Sequence, residues 1–342
     1  MQLFKCTNCF QPIYFENIFC GNCGRSLGFL TDSMHPVAFD PGYLYQYCAN
    51  HAHDNCNWLV PEDGYSAFCK ACELNRTIPD LSNPDYVVRW KKLEIAKHRL
   101  VYSLLRMRLP LFSKTVDDEK GLAFDFVADQ SSATDKKILT GYEKGLITIN
   151  IAEADDIERE MVRRSMQEVY RTLLGHFRHE IGHYYWERLI EGTDRTPAFR
   201  QLFGDERIDY EEALKNYYQS GAPANWNEYY ISAYASSHPW EDWAESWAHY
   251  MHIIDTLETA YSFGLSVDPL ISGSSEDLKA DIKTDPYHIN DFETIISYWL
   301  PLTFAMNSLN RSMGLNDTYP FVISNPVKEK MKFIHQVIQS HF

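Results

Sequence analysis

The sequence predicts an α+β fold in which small cysteine-rich modules precede a mainly helical domain with a small sheet. Two observations support this prediction. All eight cysteines lie between Cys6 and Cys72, and the rest of the 342-residue chain has none. After them come long stretches with apolar residues three and four positions apart, typical of helices, and only two short strand-like stretches. The length and the hydrophobic content of 45% suit two folded domains.

The first four cysteines have the spacing of a zinc ribbon. Two Cys-x-x-Cys pairs are separated by ten residues, and they are Cys6 with Cys9 and Cys20 with Cys23. Each pair can turn two thiolates toward one tetrahedral ion. We therefore expect one structural zinc ion at these four residues.

The other four cysteines predict a second structural zinc ion, although their spacing is looser. They are Cys48, Cys56, Cys69 and Cys72. Two histidines between the first two, His51 and His53, are alternative ligands in place of a cysteine. Disulfides are the other interpretation, which the lack of an export signal disfavours.

Charge and hydropathy limit the partners. The net charge of −15 argues against nucleic acid and anionic membranes, and residues 1–90 also hold more acidic than basic residues. The predicted ribbons are therefore expected to dock a protein partner or to stabilise the chain. No apolar run approaches the length of a membrane span, and the N-terminus does not resemble a signal peptide. We expect a cytoplasmic protein.

The predicted domains are a tandem zinc-ribbon region over residues 1–80 and a second domain over residues 81–342. A Pro- and Asn-bearing stretch, Arg76 to Pro84, marks the boundary. A helix follows from Tyr86 to Arg108. Strands are predicted at 121–128 and 145–152. The second is either an edge strand that pairs with a substrate backbone or an ordinary core strand.

The rest of the chain is predicted to be largely helical. A helical pattern runs from Asp156 to about Ile190 and is interrupted at Gly175. The pattern corresponds either to one helix with a tight packing point at Gly175 or to two helices. Residues 193–227 are expected to be irregular. Two further helices are predicted, from about Trp240 to Tyr261 and from Lys328 to Ile338.

The motif with the clearest chemistry is His179-Glu180-Ile181-Gly182-His183. Histidines four residues apart project from one helix face and can bind the same ion. Glu180 lies beside them, where it can take a proton from a zinc-activated water and pass it to a leaving amine. The motif predicts hydrolysis at a catalytic zinc.

A third ligand must come from another segment, because the residues after His183 lack the glycine and histidine of a metzincin. Glu241 and Glu245 are four residues apart on the next long helix, and small Ala244 and Ala248 permit close helix packing. One glutamate is expected to bind zinc while the other holds a ligating histidine by a hydrogen bond. His238 is an alternative fourth ligand or an N-cap residue.

These segments resemble two related groups of zinc peptidases. Glu241-Asp-Trp-Ala-Glu245 is similar to the lethal-factor-like peptidases with a glutamate ligand (gluzincin-like), which implies that Glu241 binds zinc and Tyr234 stabilises the oxyanion. Both ribbons, Gly145–Asp155, Arg171–Trp186 and the glutamate segment together resemble a bacterial family of zinc-binding metallopeptidases over nearly the whole chain. The resemblance implies a zincin-like metallopeptidase domain.

The sequence thus predicts a zinc metallopeptidase that hydrolyses peptides or proteins with Glu180 as general base. Zinc is bound by His179, His183 and Glu241, with Glu245 supporting a ligand. The expected cofactors are one catalytic and two structural zinc ions. The alternative is a non-catalytic zinc-binding adaptor that docks partner proteins through its ribbons.

Overall fold

The computed structural model describes residues 2–40, 44–64, 66–129, 140–165, 171–271 and 278–341. The chain forms two compact units. The N-terminal unit comprises residues 1–106 and 110–177, and the C-terminal unit comprises residues 107–109 and 178–342. The predicted α+β class is confirmed, with about 48% of the chain helical and small sheets. Across the described ranges, no helix is long and apolar enough to cross a bilayer.

In the described residues, the cysteine-rich part of the N-terminal unit contains three short antiparallel hairpins. Each hairpin pairs two consecutive strands: β1 (Phe4–Lys5) with β2 (Pro12–Ile13), β3 (Leu27–Leu30) with β4 (His35–Ala38), and β5 (Tyr45–Tyr47) with β6 (Leu59–Pro61). Such short strands bury little surface, so this region depends on its cysteine clusters and on the helix that follows.

That helix, α1 (Pro84–Arg106), completes the core of the region. The Phe15 ring packs on Tyr102 of α1 at 5.3 Å, and the Trp58 ring packs on His98 at 5.2 Å. Phe15, Trp58 and Tyr102 are all fully or almost fully buried. The predicted domain boundary between residues 80 and 81 stays a prediction.

The N-terminal unit also contains a four-stranded sheet. Its order is β7 (Asn75–Thr77), β8 (Ala123–Val127), β10 (Leu146–Asn150), β9 (Gly141–Glu143). Strand β10 pairs in parallel with β8 and antiparallel with β9. The edge-strand alternative is therefore wrong, because β9 pairs with the other side of β10, which is an interior strand.

The predicted long helical pattern is divided into two helices. They are α2 (Asp156–Ser165) and α3 (Leu173–Leu189), and residues 166–170 of the pattern lie outside the described residues. Helix α3 begins just before Gly175 and carries the His-Glu-x-x-His motif in its middle.

The C-terminal unit is almost entirely helical. Its elements in chain order are α4 (Thr196–Phe203), α5 (Tyr210–Ser220), α6 (Trp226–Tyr229), α7 (Pro239–Ser262), β11 (Ser266–Val267), β12 (Ala280–Asp281), α8 (Phe292–Ser312) and α9 (Asn325–Gln339). The predicted helices near residues 240–261 and 328–338 correspond to α7 and α9. The prediction of an irregular region at 193–227 is wrong, because this stretch contains α4, α5 and the start of α6.

Local capping and packing explain two of these unexpected helices. The Asp209 carboxylate accepts a hydrogen bond from the Glu212 amide at 2.8 Å and caps the start of α5. Phe199 and Phe203 on α4 are buried in the core of the unit.

Close approach of α3 and α7 fixes the centre of the C-terminal unit. A Cβ atom at Gly182 would lie 3.0 Å from the Ala244 Cα and 3.2 Å from the Trp247 Cβ, so only glycine fits without displacement. The Trp243 indole donates a hydrogen bond to the Gly182 carbonyl at 2.9 Å. The expected close packing through Ala244 is thus confirmed, and it sets the two motif-bearing helices side by side.

A half-buried ion pair in the N-terminal unit predicts acid-sensitive stability. His176 Nδ1 donates to Glu153 at 2.6 Å, and Thr140 also donates to this carboxylate. Burial would raise the pKa of Glu153, but the His176 charge and these hydrogen bonds lower it to about 2. A depressed carboxyl pKa stabilises the fold above pH ~4.5, and this contribution is lost as pH falls toward 2.

We therefore expect Glu153→Gln to cost on the order of 2–3 kcal/mol at pH 7 and to weaken the dependence of stability on pH between 4.5 and 2. Urea unfolding at pH 7 and pH 3 measures both effects. Glu143→Gln, at an exposed position on β9, is the matched control and should cost little. Equal losses in the two variants would contradict this assignment.

Candidate metal centres

Helices α3 and α7 bring three of the predicted ligands together. The Nε2 atoms of His179 and His183 are 3.2 Å apart. Glu241 Oε2 lies 3.0 Å from His179 Nε2, and Glu241 Oε1 lies 3.6 Å from His183 Nε2. His183 and Glu241 are buried and His179 is nearly so. All three ligand atoms thus converge on one point.

These separations fit a zinc ion. With zinc–nitrogen and zinc–oxygen bonds of about 2.0–2.1 Å, tetrahedral geometry sets ligand atoms about 3.3–3.4 Å apart. The three distances between ligand atoms, 3.0, 3.2 and 3.6 Å, lie on both sides of that value. Two imidazoles and one carboxylate are also the donor set that catalytic zinc sites use.

The orientation of His179 leaves its metal-facing nitrogen available. Its Nδ1–H donates to Glu245 Oε1 at 2.7 Å, because a carboxylate only accepts. In the neutral form of His179, the Nε2 lone pair therefore faces the ligand cluster. Ser232 donates from its hydroxyl to the other oxygen of Glu245 at 2.6 Å and fixes that carboxylate. Such outer hydrogen bonds hold a ligand in the orientation that a metal needs.

The electrostatics of the cluster favour a cation. Burial would lower the pKa of His179, but hydrogen bonds and charges from Glu241 and Glu245 raise it well above its usual value. Burial would raise the pKa of Glu241, but His183 and His179 lower it to about 2. Two ionised carboxylates thus surround one imidazole, and a divalent ion would neutralise their charge.

The expected general base and oxyanion donor also lie near the cluster. Glu180 is buried. Burial lowers the pKa of His183 and raises that of Tyr234; the Glu180 charge opposes the first shift and adds to the second. The Tyr234 ring centroid is 6.0 Å from that of His179. Burial raises the pKa of Tyr234 well above 10, so its phenol keeps its proton and remains a donor.

A second tyrosine, Tyr210, is a site residue that the sequence did not reveal. Its hydroxyl donates to Glu241 Oε1 at 2.7 Å. It lies at the start of α5, in the stretch expected to be irregular, and no spacing rule connects it with α7. The only sequence signal was the capping residue Asp209 immediately before it.

His238 does not complete the cluster. Its Nδ1 accepts a hydrogen bond from the Trp240 amide at 3.1 Å, and its Nε2 donates to the Ile208 carbonyl at 3.2 Å. Both ring nitrogens are thus engaged, and His238 is the N-cap of α7.

The eight cysteines form two separate clusters of free thiols. In the first, the Sγ atoms of Cys6 and Cys23 are 3.8 Å apart and those of Cys9 and Cys20 are 3.5 Å apart. In the second, Cys48, Cys56, Cys69 and Cys72 lie together, and Cys56 and Cys69 are 3.7 Å apart. Zinc–sulfur bonds of about 2.3 Å in tetrahedral geometry give about 3.8 Å. Both clusters fit zinc, and neither contains a disulfide.

His98 of α1 is a further residue at the second cysteine cluster. Its Nε2 lies 3.2 Å from Cys56 Sγ and 3.7 Å from Cys72 Sγ, while its Nδ1 donates to the Glu94 carbonyl. The sequence instead indicates His51 and His53 as the histidines that could replace a cysteine ligand. His51 Nδ1 instead donates to the Cys56 carbonyl, and neither histidine belongs to a ligand cluster of the described residues. His98 follows Cys72 by 26 positions, which no ribbon spacing would indicate.

Comparison with known proteins agrees with these centres. Residues 86–337 match the model of a family described as "Putative zinc-binding metallo-peptidase", and residues 3–83 match a zinc-ribbon domain. Proteins of two Mycobacterium tuberculosis strains and of Mycobacterium bovis, each described as uncharacterized, are 42% identical over 339 residues. The match covers 99% of this chain and 95% of each relative. No solved structure matches.

The helical site and the cysteine clusters together define a zinc-binding protein of the metallopeptidase class. The chain belongs to the zinc-binding metallopeptidase family, with a zinc-ribbon domain at its N-terminus.

Proposed function

We propose that the protein is a zinc-dependent peptidase whose catalytic ion is held by His179, His183 and Glu241. One observation carries this proposal: three protein ligand atoms converge between α3 and α7, and among the described residues no fourth one joins them. Three protein ligands with one open position are typical of catalytic zinc, whereas structural sites have four. The engagement of His238 elsewhere disfavours the adaptor interpretation.

Each neighbouring residue has a distinct task in this proposal. When bound, zinc supplies Lewis-acid polarisation of the scissile carbonyl and lowers the pKa of a coordinated water to about 7. Glu180 accepts the proton of the attacking water and returns it to the leaving amine. Tyr234 donates a hydrogen bond to the oxyanion that develops from the carbonyl. Glu245 keeps the His179 imidazole in the ligating tautomer.

The gluzincin-like assignment is part of the same proposal. It rests on the position of Glu241 on a second helix, as third ligand, with Glu245 one turn later bonded to His179. The eight cysteines are proposed to hold two structural zinc ions, one per cluster. The ribbons would then stabilise the N-terminal unit or dock a protein partner in the cytoplasm.

The direct test of the function is zinc-dependent cleavage of a degenerate peptide mixture. Purified zinc-loaded protein should cleave peptides, chelation should abolish cleavage, and added zinc should restore it. Absence of cleavage by protein that holds the full complement of zinc would contradict the proposal.

The two tyrosines should differ in kinetics. Tyr234→Phe removes the proposed oxyanion donor and should lower kcat about 10²-fold with little change in zinc content. Tyr210→Phe removes the hydrogen bond to Glu241 and should mainly weaken zinc affinity, by about 10-fold or more. Steady-state kinetics and zinc titration distinguish the two effects. A larger loss of kcat in Tyr210→Phe, with zinc affinity unchanged, would transfer the oxyanion role to Tyr210.

A further inference from the structure

The C-terminal unit contains a cavity of about 880 Å³ beside the proposed catalytic ligands. Two of its lining residues contact those ligands directly. Tyr210 donates its hydroxyl to Glu241 at 2.7 Å, and the Trp240 ring lies 4.0 Å from the ring of His183. The cavity therefore adjoins the proposed metal site through these two side chains.

One wall of the cavity is aromatic and continuous. The ring centroids of Trp240 lie 5.8 Å from Tyr210 and 6.3 Å from Trp186, and all three residues line the cavity. Indole and phenol faces attract cations. They also provide an apolar surface on which the methylene stem of a long side chain can pack. A wall of this composition suits a long substrate side chain that ends in a positive charge.

The charged side chains of the lining are two arginines and two glutamates, and both arginines have ion-pair partners other than Glu191. Arg200 forms an ion pair with Glu206 at 2.5 Å. Arg207 pairs with the Asp205 carboxylate at 2.7 Å, so both arginines are neutralised by their own partners.

Glu191 is the remaining charged side chain of the lining, and within the described ranges no cation pairs with it. Glu191 follows the end of α3, and its amide donates to the Trp186 carbonyl at 3.0 Å. This bond keeps the residue close to the aromatic wall. The carboxylate is exposed and free to receive a charge from the substrate.

From this arrangement we infer that the cavity is a specificity pocket for a lysine or arginine side chain adjacent to the scissile bond. The aromatic wall packs against the methylene stem and makes a cation–π contact with the charged end, and Glu191 forms an ion pair with that charged end. This inference deepens the proposed peptidase function and rests on it. The net charge of −15 also favours the approach of basic peptides.

The test uses a degenerate peptide mixture with cleavage sites located by mass spectrometry. Zinc-loaded wild-type protein should prefer Lys or Arg over norleucine at one position flanking the cut by about fivefold. Glu191→Lys should abolish or reverse this preference, measured as the ratio of cleavage at Lys or Arg to cleavage at norleucine. Glu329→Lys, which makes the same charge change at an exposed position on α9, is the control and should keep the preference.

A binding measurement separates this inference from the function on which it rests. Zinc-loaded Glu180→Gln protein should bind a lysine peptide about fivefold more tightly than its norleucine counterpart, and Glu191→Lys in that background should remove the difference. Cleavage without basic preference, or a preference that survives Glu191→Lys, would overturn the pocket assignment alone. Selective binding without any cleavage by wild-type protein would overturn the peptidase function and leave the pocket assignment supported.

Discussion

Glu180→Gln should lose peptide hydrolysis by about 10²–10⁴-fold and keep its zinc. The amide has nearly the shape of the carboxylate but cannot accept the water proton. Glu180 is not one of the three converging ligands, so the ion should remain bound to His179, His183 and Glu241. The proposed mechanism therefore predicts that this one variant loses peptidase activity while its zinc content stays that of the wild type.

The measurement combines kcat/KM on a peptide mixture with zinc content by elemental analysis. Glu187→Gln makes the same change on the same helix α3, outside the ligand cluster, and should retain near-wild-type activity. Cleavage by Glu180→Gln within twofold of wild type would show that another group acts as general base. Loss of zinc in the same variant would show instead that Glu180 is a ligand.

Lys330→Met should destabilise the C-terminal unit by about 3–5 kcal/mol. Lys330 of α9 is buried and donates to Asp242 at 2.5 Å and to the Tyr229 carbonyl at 2.7 Å. Asp242 is fully buried and directly follows the proposed ligand Glu241. Burial raises the pKa of Asp242 to about 7 even though Lys330 lowers it, so this carboxylate depends on its partner. Removing the cation would leave the buried carboxyl either charged without a partner or protonated without its ion pair.

Urea unfolding followed by tryptophan fluorescence measures this loss, because six of the eight tryptophans lie in the C-terminal unit. Lys328→Met is the matched control, since that lysine forms a more exposed pair with Glu293 at 3.2 Å and should cost less than about 1 kcal/mol. Adding Asp242→Asn to Lys330→Met should restore part of the stability. Equal losses in the two lysine variants would refute the proposed role of the buried pair.

The metal-ligand candidates that were predictable from the sequence are those defined by short spacing. Histidines four residues apart on a helix must share a face, and so must Glu241 and Glu245. The Cys-x-x-Cys pairs likewise predict local clusters, which the structure confirms. These constraints act within one or two helical turns or one knuckle, so no knowledge of the tertiary fold was needed.

Other features depend on contacts between distant segments and could not be predicted in this way. Tyr210 meets Glu241 only because α5 forms and packs near α7, and His98 reaches the second cysteine cluster from α1. Short helices such as α4 and α5 are stabilised by tertiary packing more than by intrinsic propensity. Strand β10 illustrates the same limit, since its residue pattern is the same for an edge strand as for the interior strand observed.

The central claim concerns the position of the ions, and anomalous X-ray scattering at the zinc absorption edge tests it most directly. Crystals of the zinc-loaded protein should show three anomalous peaks per chain. One should lie among His179, His183 and Glu241, and one in each cysteine cluster. Two peaks confined to the cysteine clusters, with none between α3 and α7, would contradict the claim of a catalytic zinc site.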